Sequence, residues 1–265
     1  MTFPACFVSH GAPPLALDRV KGRDLQRLGE QLGRPTAILV VSAHWEEGLS
    51  LGTQRSRELL YDFGGFAPAL FQVRYPAPPA PELAAQIGRL LRAAAAAADD
   101  ASGELVPREL DRPWDHGVWV PLLHMFPAAD VPLLQLSLPS QLPPERLLEL
   151  GRRLAPLREE GVLILGSGSL THNLSRLDWS DRSCPPPWAL SFEAWVRETL
   201  AREGPAGLAA YRQAPFSVEA HPTPEHFLPL LVAAGAAAGE PHQVALAGFD
   251  YGSLSRTAFR FGAQG

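Results

Sequence analysis

The chain has 265 residues, of which 46% are hydrophobic and 19% charged, and its formal net charge at pH 7 is −5. A chain of this size and composition can bury a sizeable core without disulfides. Binding to nucleic acid is not expected, because it requires clustered basic residues that this acidic chain lacks. The two cysteines form no metal-binding pair, and no stretch is apolar enough for a signal peptide or a membrane span. We therefore expect a cytoplasmic protein with neither a nucleic-acid nor a membrane partner.

Short apolar runs alternate with helical patterns along the chain. Strands are predicted at residues 5–9, 37–42, 133–137, 162–166 and 244–248. Helices are predicted at residues 18–32, 81–98, 118–125, 143–157, 187–202 and 224–238. This alternation predicts one α/β domain over residues 1–265, with a central, mostly parallel sheet covered by helices on both faces.

Three of the eight histidines lie at or just beyond the carboxyl ends of predicted strands, namely His10, His44 and His172. Ligands bind at that edge of an open parallel sheet. Two more, His221 and His226, flank the proline-rich turn HPTPEH. Neutral imidazole binds iron and zinc, and three histidines leave coordination positions open for a substrate. His10, His44 and His221 are therefore candidate metal ligands, although each alone could instead cap a strand end or a helix start.

Other polar and aromatic residues allow two interpretations each. His116 could donate a hydrogen bond to a substrate oxygen, whereas its neighbour Asp115 could simply cap the following helix. Trp45 could shape a pocket for an aromatic ring, or it could pack in the core. Arg74 and Arg256 could meet a substrate carboxylate or lie on the solvated surface. The GSGSL segment has neither a P-loop nor a GxSxG frame, so it predicts neither phosphate binding nor a serine nucleophile.

Seven segments together resemble a known family. They are SHGAPPLAL (9–17), VVSAHWE (40–46), YDFGGFAPALFQVRYPAP (61–78), DHGVWVPL (115–122), GSGSLTHNL (166–174), HPTPEHFLPLL (221–231) and FDYGSLSRTAFRF (249–261). In content and order they resemble the class III extradiol ring-cleavage dioxygenases of the LigB-like superfamily. The resemblance is greatest to the DOPA 4,5-dioxygenase branch, and it extends over nearly the entire chain.

The resemblance implies a role for several residues. His10, His44 and His221 match the three metal ligands, since this branch has a histidine where the wider superfamily has a carboxylate. His172 matches the acid/base residue near the metal, and His116 matches a further active-site histidine. Substrate contacts are expected from His226, Tyr251 and Trp45. The implied cofactor is Fe(II), with Zn(II) as an ion that such a site can retain after isolation.

The implied reaction is extradiol cleavage of a DOPA-like catechol by O₂, in a monomer or small homo-oligomer. Two alternatives use the same residues differently. A zinc-bound water on the three histidines could hydrolyse an amide or ester. A non-enzymatic binding protein of the same superfamily would be expected to show an eroded site.

Overall fold

The predicted apolar runs form the centre of one large sheet. The structure is a computed structural model that describes residues 2–53, 58–97 and 103–262. Its large sheet contains β1 Ala5–Ser9, β2 Ala37–Glu46, β3 Ser50–Gly52, β4 Arg108–Leu110, β5 Leu133–Leu138, β6 Val162–Gly168, β7 His242–Leu246 and β10 Ala258–Phe261. A separate hairpin pairs β8 Phe249–Asp250 with β9 Leu254–Ser255. The domain prediction of 1–265 and the predicted helix 81–98 each include residues outside the described ranges.

The strand order in the large sheet is β4-β3-β5-β2-β6-β1-β10-β7. The four central strands, β5, β2, β6 and β1, are parallel to their neighbours. The outer strands of this central group are β5 and β1. Strand β3 runs antiparallel to β5, and β10 runs antiparallel to β1. The prediction of a mostly parallel α/β sheet is therefore confirmed. Its antiparallel edges were not predicted, because β3 and β4 have three residues each and too little sequence to show a pattern.

Helices cover both faces of the sheet, as predicted. They are α1 Arg23–Leu32, α2 Pro81–Ala97, α3 His116–Met125, α4 Pro144–Leu154, α5 Pro187–Glu203, α6 Ser217–Ala220 and α7 Leu228–Gly235. Alternate residues of β1 divide between two buried clusters: Phe7 packs with α2, α4, α5 and α7, whereas Val8 packs with α1 and α3. Because successive strand residues point to opposite faces, a run without polar residues requires such burial on both sides.

The register of the central strands brings their carboxyl ends to one level. Ser9 of β1 pairs with Gly168 of β6, and Ser42 of β2 pairs with Ser167 of β6. Strand β2 continues to Glu46, so His44 lies within the strand rather than after it. The polar residues at these strand ends are thus placed side by side.

The turn before α7 lies directly against the end of β6. A Cβ atom at Gly168 would lie 2.1 Å from the carbonyl oxygen of His226, and the Ser169 amide donates a 2.9 Å hydrogen bond to that oxygen. Helix α7 begins at Leu228 rather than near residue 224, because residues 224–227 form this turn. Only glycine at position 168 allows the HPTPEH segment to approach the strand end so closely.

None of the helices in the described ranges combines the length and apolar composition needed to cross a bilayer.

We predict that Gly168→Ala lowers the free energy of unfolding by about 1–3 kcal/mol, because the new methyl group must displace the His226 carbonyl or bend β6. Urea denaturation monitored by tryptophan fluorescence measures this change. Gly48→Ala is the matched control, since a Cβ atom there has no neighbour within 4 Å. Equal stability of the two variants would contradict the close packing at Gly168.

Candidate active site

Five imidazole rings gather at the carboxyl edge of the parallel strands. They belong to His10, His44, His116, His172 and His226. The ring centroids of His10, His44 and His226 form a nearly regular triangle, with separations of 4.9, 4.9 and 5.4 Å. The ring of His116 lies 4.0 Å from that of His44, and the ring of His172 stacks on that of His226 at 3.3 Å.

Each of these rings comes from a different part of the chain. His10 follows β1, His44 lies on β2, and His116 is the first residue of α3. His172 lies in the loop after β6, where its amide donates a hydrogen bond to Ala220 O, and His226 lies in the turn before α7. The β1, β2 and β6 positions confirm the prediction that three histidines share one sheet edge.

Serine fixes the tautomer of His10. The hydroxyl of Ser167 donates to the carbonyl oxygen of Gly117 and lies 3.0 Å from Nδ1 of His10. Since the hydroxyl hydrogen is already used, Ser167 accepts a hydrogen bond from Nδ1–H. The lone pair of His10 is therefore on Nε2, which points into the cluster.

Two carboxylates orient two more rings through their Nδ1 atoms. Asp62 accepts a 2.8 Å hydrogen bond from Nδ1–H of His116 and lies 3.6 Å from Nδ1 of His44. Glu225 accepts a 2.9 Å hydrogen bond from Nδ1–H of His226. Although burial opposes it, the hydrogen bond from His116 lowers the pKa of Asp62. Carboxylates in this position typically support metal-binding histidines.

The Nε2 atoms that face inward suit a metal ion. Nε2 of His10 and Nε2 of His44 are 3.1 Å apart, and Nε2 of His226 is buried without a hydrogen-bond partner. Two nitrogens bound to one metal at right angles are separated by roughly 3.0 Å, given metal–nitrogen distances of about 2.1 Å. A buried acceptor left unpaired costs about 1–3 kcal/mol, and a cation would remove that cost. The donor set thus fits a metal with imidazole ligands.

Two groups of possible ligand atoms adjoin here. Those of His10, His44 and His116 all lie within 4.8 Å of one another, and so do those of His172, Glu225 and His226. The ring contacts of His226 with His10 and His44 join the two groups into one cluster. A three-histidine metal site is therefore present at the edge where the sequence predicts one.

Burial keeps the imidazoles of His10, His44, His172 and His226 neutral, which metal binding requires. It lowers the pKa of His44 to about 3 and that of His172 to about 4, and it lowers the pKa values of His10 and His226 well below the ordinary range. Because two protonated rings would repel each other, the neighbouring histidines lower these pKa values further.

His221 lies apart from the position expected of a ligand. Its Nε2–H donates a 2.8 Å hydrogen bond to Leu170 O, and its ring packs edge-on against Phe192 and Phe227. Within the described ranges, no ring contact joins His221 to His10 or His44. His226, which the sequence analysis assigned to substrate binding, contacts both of those rings instead. The five-residue span of the HPTPEH turn explains the difference, because its two histidines point in different directions.

Trp45 also departs from its expected place. Residues 44 and 45 are adjacent on β2, so their side chains point to opposite faces of the sheet. The Trp45 indole is buried, donates to Glu47 and packs beside Arg112, away from the imidazoles. Tyr251 lies beside Trp179, with ring centroids 5.0 Å apart.

The two arginines considered for a substrate carboxylate have protein partners. Arg74 donates hydrogen bonds to the hydroxyl of Tyr61 and to the carbonyl oxygen of Val73. Arg256 donates hydrogen bonds to Asp24 and to the carbonyl oxygen of Lys21.

Sequence reasoning missed the residues that orient the rings. Glu225 adjoins His226 in HPTPEH, and Asp62 lies in the YDFGG segment, so both belong to motifs that carry the family resemblance. A third carboxylate, Asp115, is buried and accepts hydrogen bonds from Ser42 and Gln135 rather than capping α3 with its side chain. Burial raises the pKa of Asp115.

Comparisons with known proteins identify the family of the chain. A family model described as "Catalytic LigB subunit of aromatic ring-opening dioxygenase" matches residues 23–262. A protein of Escherichia coli (strain K12) named 4,5-DOPA dioxygenase extradiol is 40% identical over 268 residues, covering 98% of this chain and 94% of that protein. Its namesake in Beta vulgaris is 40% identical over 270 residues, covering 96% of this chain and 95% of that protein. The crystal structure of an uncharacterized Escherichia coli K12 protein matches with a TM-score of 0.81 at 38% identity, covering 98% of this chain and 100% of that one.

Proposed function

Because the chain belongs to the LigB family of aromatic ring-opening dioxygenases, we propose that it cleaves a catechol with O₂ on Fe(II) held by His10, His44 and His226. It is an extradiol ring-cleavage enzyme by family, and the proposal concerns its substrate, metal and residues. The observation that carries the proposal is that Nε2 of His10 lies 3.1 Å from Nε2 of His44, beside the buried, unpaired Nε2 of His226. Ser167 and Glu225 orient the rings of His10 and His226 through their Nδ1 atoms.

His226 is a better third ligand than either His221 or His116. Ring centres lie roughly 3.2 Å from a bound metal, so ligands separated by 90–110° have centres about 4.5–5.2 Å apart. The ring centre of His226 lies 4.9 Å from that of His44, which is within this range, and 5.4 Å from that of His10, which is just above it. His116 is 5.5 Å from His10 but only 4.0 Å from His44, so it lies to one side of that pair.

When bound, Fe(II) would favour the deprotonated catechol and supply the redox chemistry that O₂ requires. Zn(II) would bind the same imidazoles without redox chemistry. The protein holds the ligands, positions the substrate and manages its protons.

We assign proton transfer to His172. Its ring lies parallel to that of His226, 3.3 Å away and with an interplanar angle of 7°, so it adjoins the ligands. Burial lowers the pKa of His172 to about 4, so the ring is neutral near pH 7 and can accept a proton from a catechol hydroxyl. The resulting imidazolium can return that proton later in the reaction.

We assign substrate binding to His116. Its Nδ1–H is bound by Asp62, so the neutral ring has its lone pair on Nε2. That nitrogen can accept a hydrogen bond from a substrate hydroxyl, and Asp62 stabilises the imidazolium if the proton transfers.

The substrate, the cellular location and the oligomeric state are also part of the proposal. The substrate class is a DOPA-like catechol, because the relatives from Escherichia coli and Beta vulgaris are named for DOPA. We expect a cytoplasmic monomer or small homo-oligomer whose partners are the catechol and O₂. The family match favours neither the zinc hydrolase nor the non-enzymatic binding protein.

We predict that His226→Asn weakens metal binding more than 100-fold, whereas His221→Asn retains full metal stoichiometry. The loss of a residue that only supports a ligand costs roughly 10- to 100-fold in metal affinity, so a ligand should cost more. Anaerobic titration with Fe(II), in competition with a chelator, gives both affinities. Loss of the metal in His221→Asn, with retention in His226→Asn, would restore the ligand set expected from the sequence.

We predict that His172→Ala binds one metal per chain but turns over catechols about 100- to 10,000-fold more slowly, because it lacks the acid/base residue. Oxygen uptake and the absorbance of the ring-opened product measure turnover in the Fe(II)-reconstituted protein. In the same assay the wild type should consume one O₂ per catechol and be inactive without O₂, whereas a hydrolase would act equally well with and without O₂. His242→Ala, which removes a histidine of strand β7, is the control. If His172→Ala loses its metal and its activity falls only in proportion, the assigned role is wrong.

A further inference from the structure

A chain of aromatic rings leads outward from the imidazole cluster. Phe63 lies edge-on to His116, with centroids 5.6 Å apart, and Phe66 lies 5.8 Å from Phe63. Trp179 follows at 6.1 Å from Phe66, and Tyr251 at 5.0 Å from Trp179. We call these four residues, Phe63, Phe66, Trp179 and Tyr251, the aromatic arc. It joins the segment that carries Asp62 to the loop after β6 and to the β8–β9 hairpin.

The indole of Trp179 is the exposed end of a well-fixed loop. Its relative exposure is 54%, which is high for the largest apolar side chain. The carboxylate of Asp178 accepts hydrogen bonds from the amides and hydroxyls of both Ser180 and Ser183. The amide of Asp178 donates to the carbonyl oxygen of Tyr251. The exposure of Trp179 therefore does not come from a loose loop.

Lys21 fastens this loop to the β8–β9 hairpin. Its ammonium group lies 2.5 Å from Asp181 and 2.9 Å from Asp250, and it sits 4.9 Å from the centre of the Tyr251 ring. Asp181 in turn accepts a hydrogen bond from the Tyr251 amide. Tyr251 has a φ of 52°, a left-handed conformation that is uncommon for a bulky residue, so its backbone is held in an unfavourable region. Such conformations concentrate at ligand-binding sites.

We propose that the aromatic arc is a subsite for the apolar part of the catechol's ring substituent, with Trp179 and Phe66 as specificity-determining residues. This inference rests on the proposed function. The hydroxyls of the catechol would face His116 and the metal ligands, so a substituent on the far side of the ring points outward along the arc. The exposed indole of Trp179 and the partly buried ring of Phe66 suit a planar or aliphatic group, because stacking on them removes apolar surface from water.

The test compares 4-phenylcatechol with unsubstituted catechol in the Fe(II)-reconstituted enzyme. For Trp179→Ala, the ratio of kcat/KM values for 4-phenylcatechol over catechol should fall about 3- to 10-fold, the range of one aromatic contact. Trp179→Phe should restore most of the ratio, since it retains a ring. Leu190→Ala, which truncates an exposed apolar residue of α5, should leave the ratio unchanged. An unchanged ratio in Trp179→Ala would overturn the proposal.

A binding measurement separates this proposal from the proposed function. Anaerobic calorimetric titration with 4-phenylcatechol should give a Kd about 3- to 10-fold higher for Trp179→Ala than for the wild type. If no catechol is turned over, the proposed function fails. The titration alone then shows whether the aromatic arc binds the substituent of the ring. Equal Kd values in the two proteins would then refute it.

Discussion

The fold brings neutral imidazoles together so closely that their facing nitrogens can share one cation. Nε2 of His10 and Nε2 of His44 are 3.1 Å apart, a hydrogen-bond distance, yet Ser167 already takes the Nδ1–H of His10. His226 adds a third Nε2 atom that is buried without a partner. A proton on Nε2 of His44 can pair the facing nitrogens of His10 and His44, but the buried lone pair of His226 stays unpaired without a metal. A metal ion bonded to all three nitrogens would turn this cost into a stabilising interaction.

The sheet makes this crowding possible. Parallel strands β1, β2 and β6 end at one level, so residues that follow them lie side by side without long loops. The absence of side chains at Gly117 and Gly168 lets α3 and the HPTPEH turn approach that edge. A Cβ atom at Gly117 would lie 2.5 Å from the hydroxyl of Ser42 and 2.9 Å from the ring of His44. The stability of the packed core thus holds the rings near one another even though their charged forms would repel.

The sequence predicted those parts of the site that follow from strand position. A polar residue at the end of a buried parallel strand must lie at the sheet edge, so the strand pattern alone places His10 and His44 at the same edge. The alternation of side chains along β2 could also have shown that Trp45 faces away from His44. The aromatic side chain of Trp45 suggested a substrate pocket instead, but the side chain lies on the other face of the sheet.

Contacts made by turns were beyond the reach of sequence patterns. His221 and His226 are five residues apart in one proline-rich turn, and no periodicity tells which ring enters the cluster. Asp62 is 54 residues away from its partner His116, and only the tertiary fold joins them. The resemblance to a family supplied the order of the motifs, but the direction of each ring depended on the three-dimensional packing around it.

The central claim is that Nε2 atoms of His10, His44 and His226 share one metal ion. Anomalous diffraction at the iron edge, from crystals reconstituted anaerobically with Fe(II), tests it most directly. The account predicts a single strong peak about 2.0–2.2 Å from those three nitrogens, with His172 adjacent but not bonded. A peak bonded to His221, or one bonded to His116 in place of His226, would contradict it.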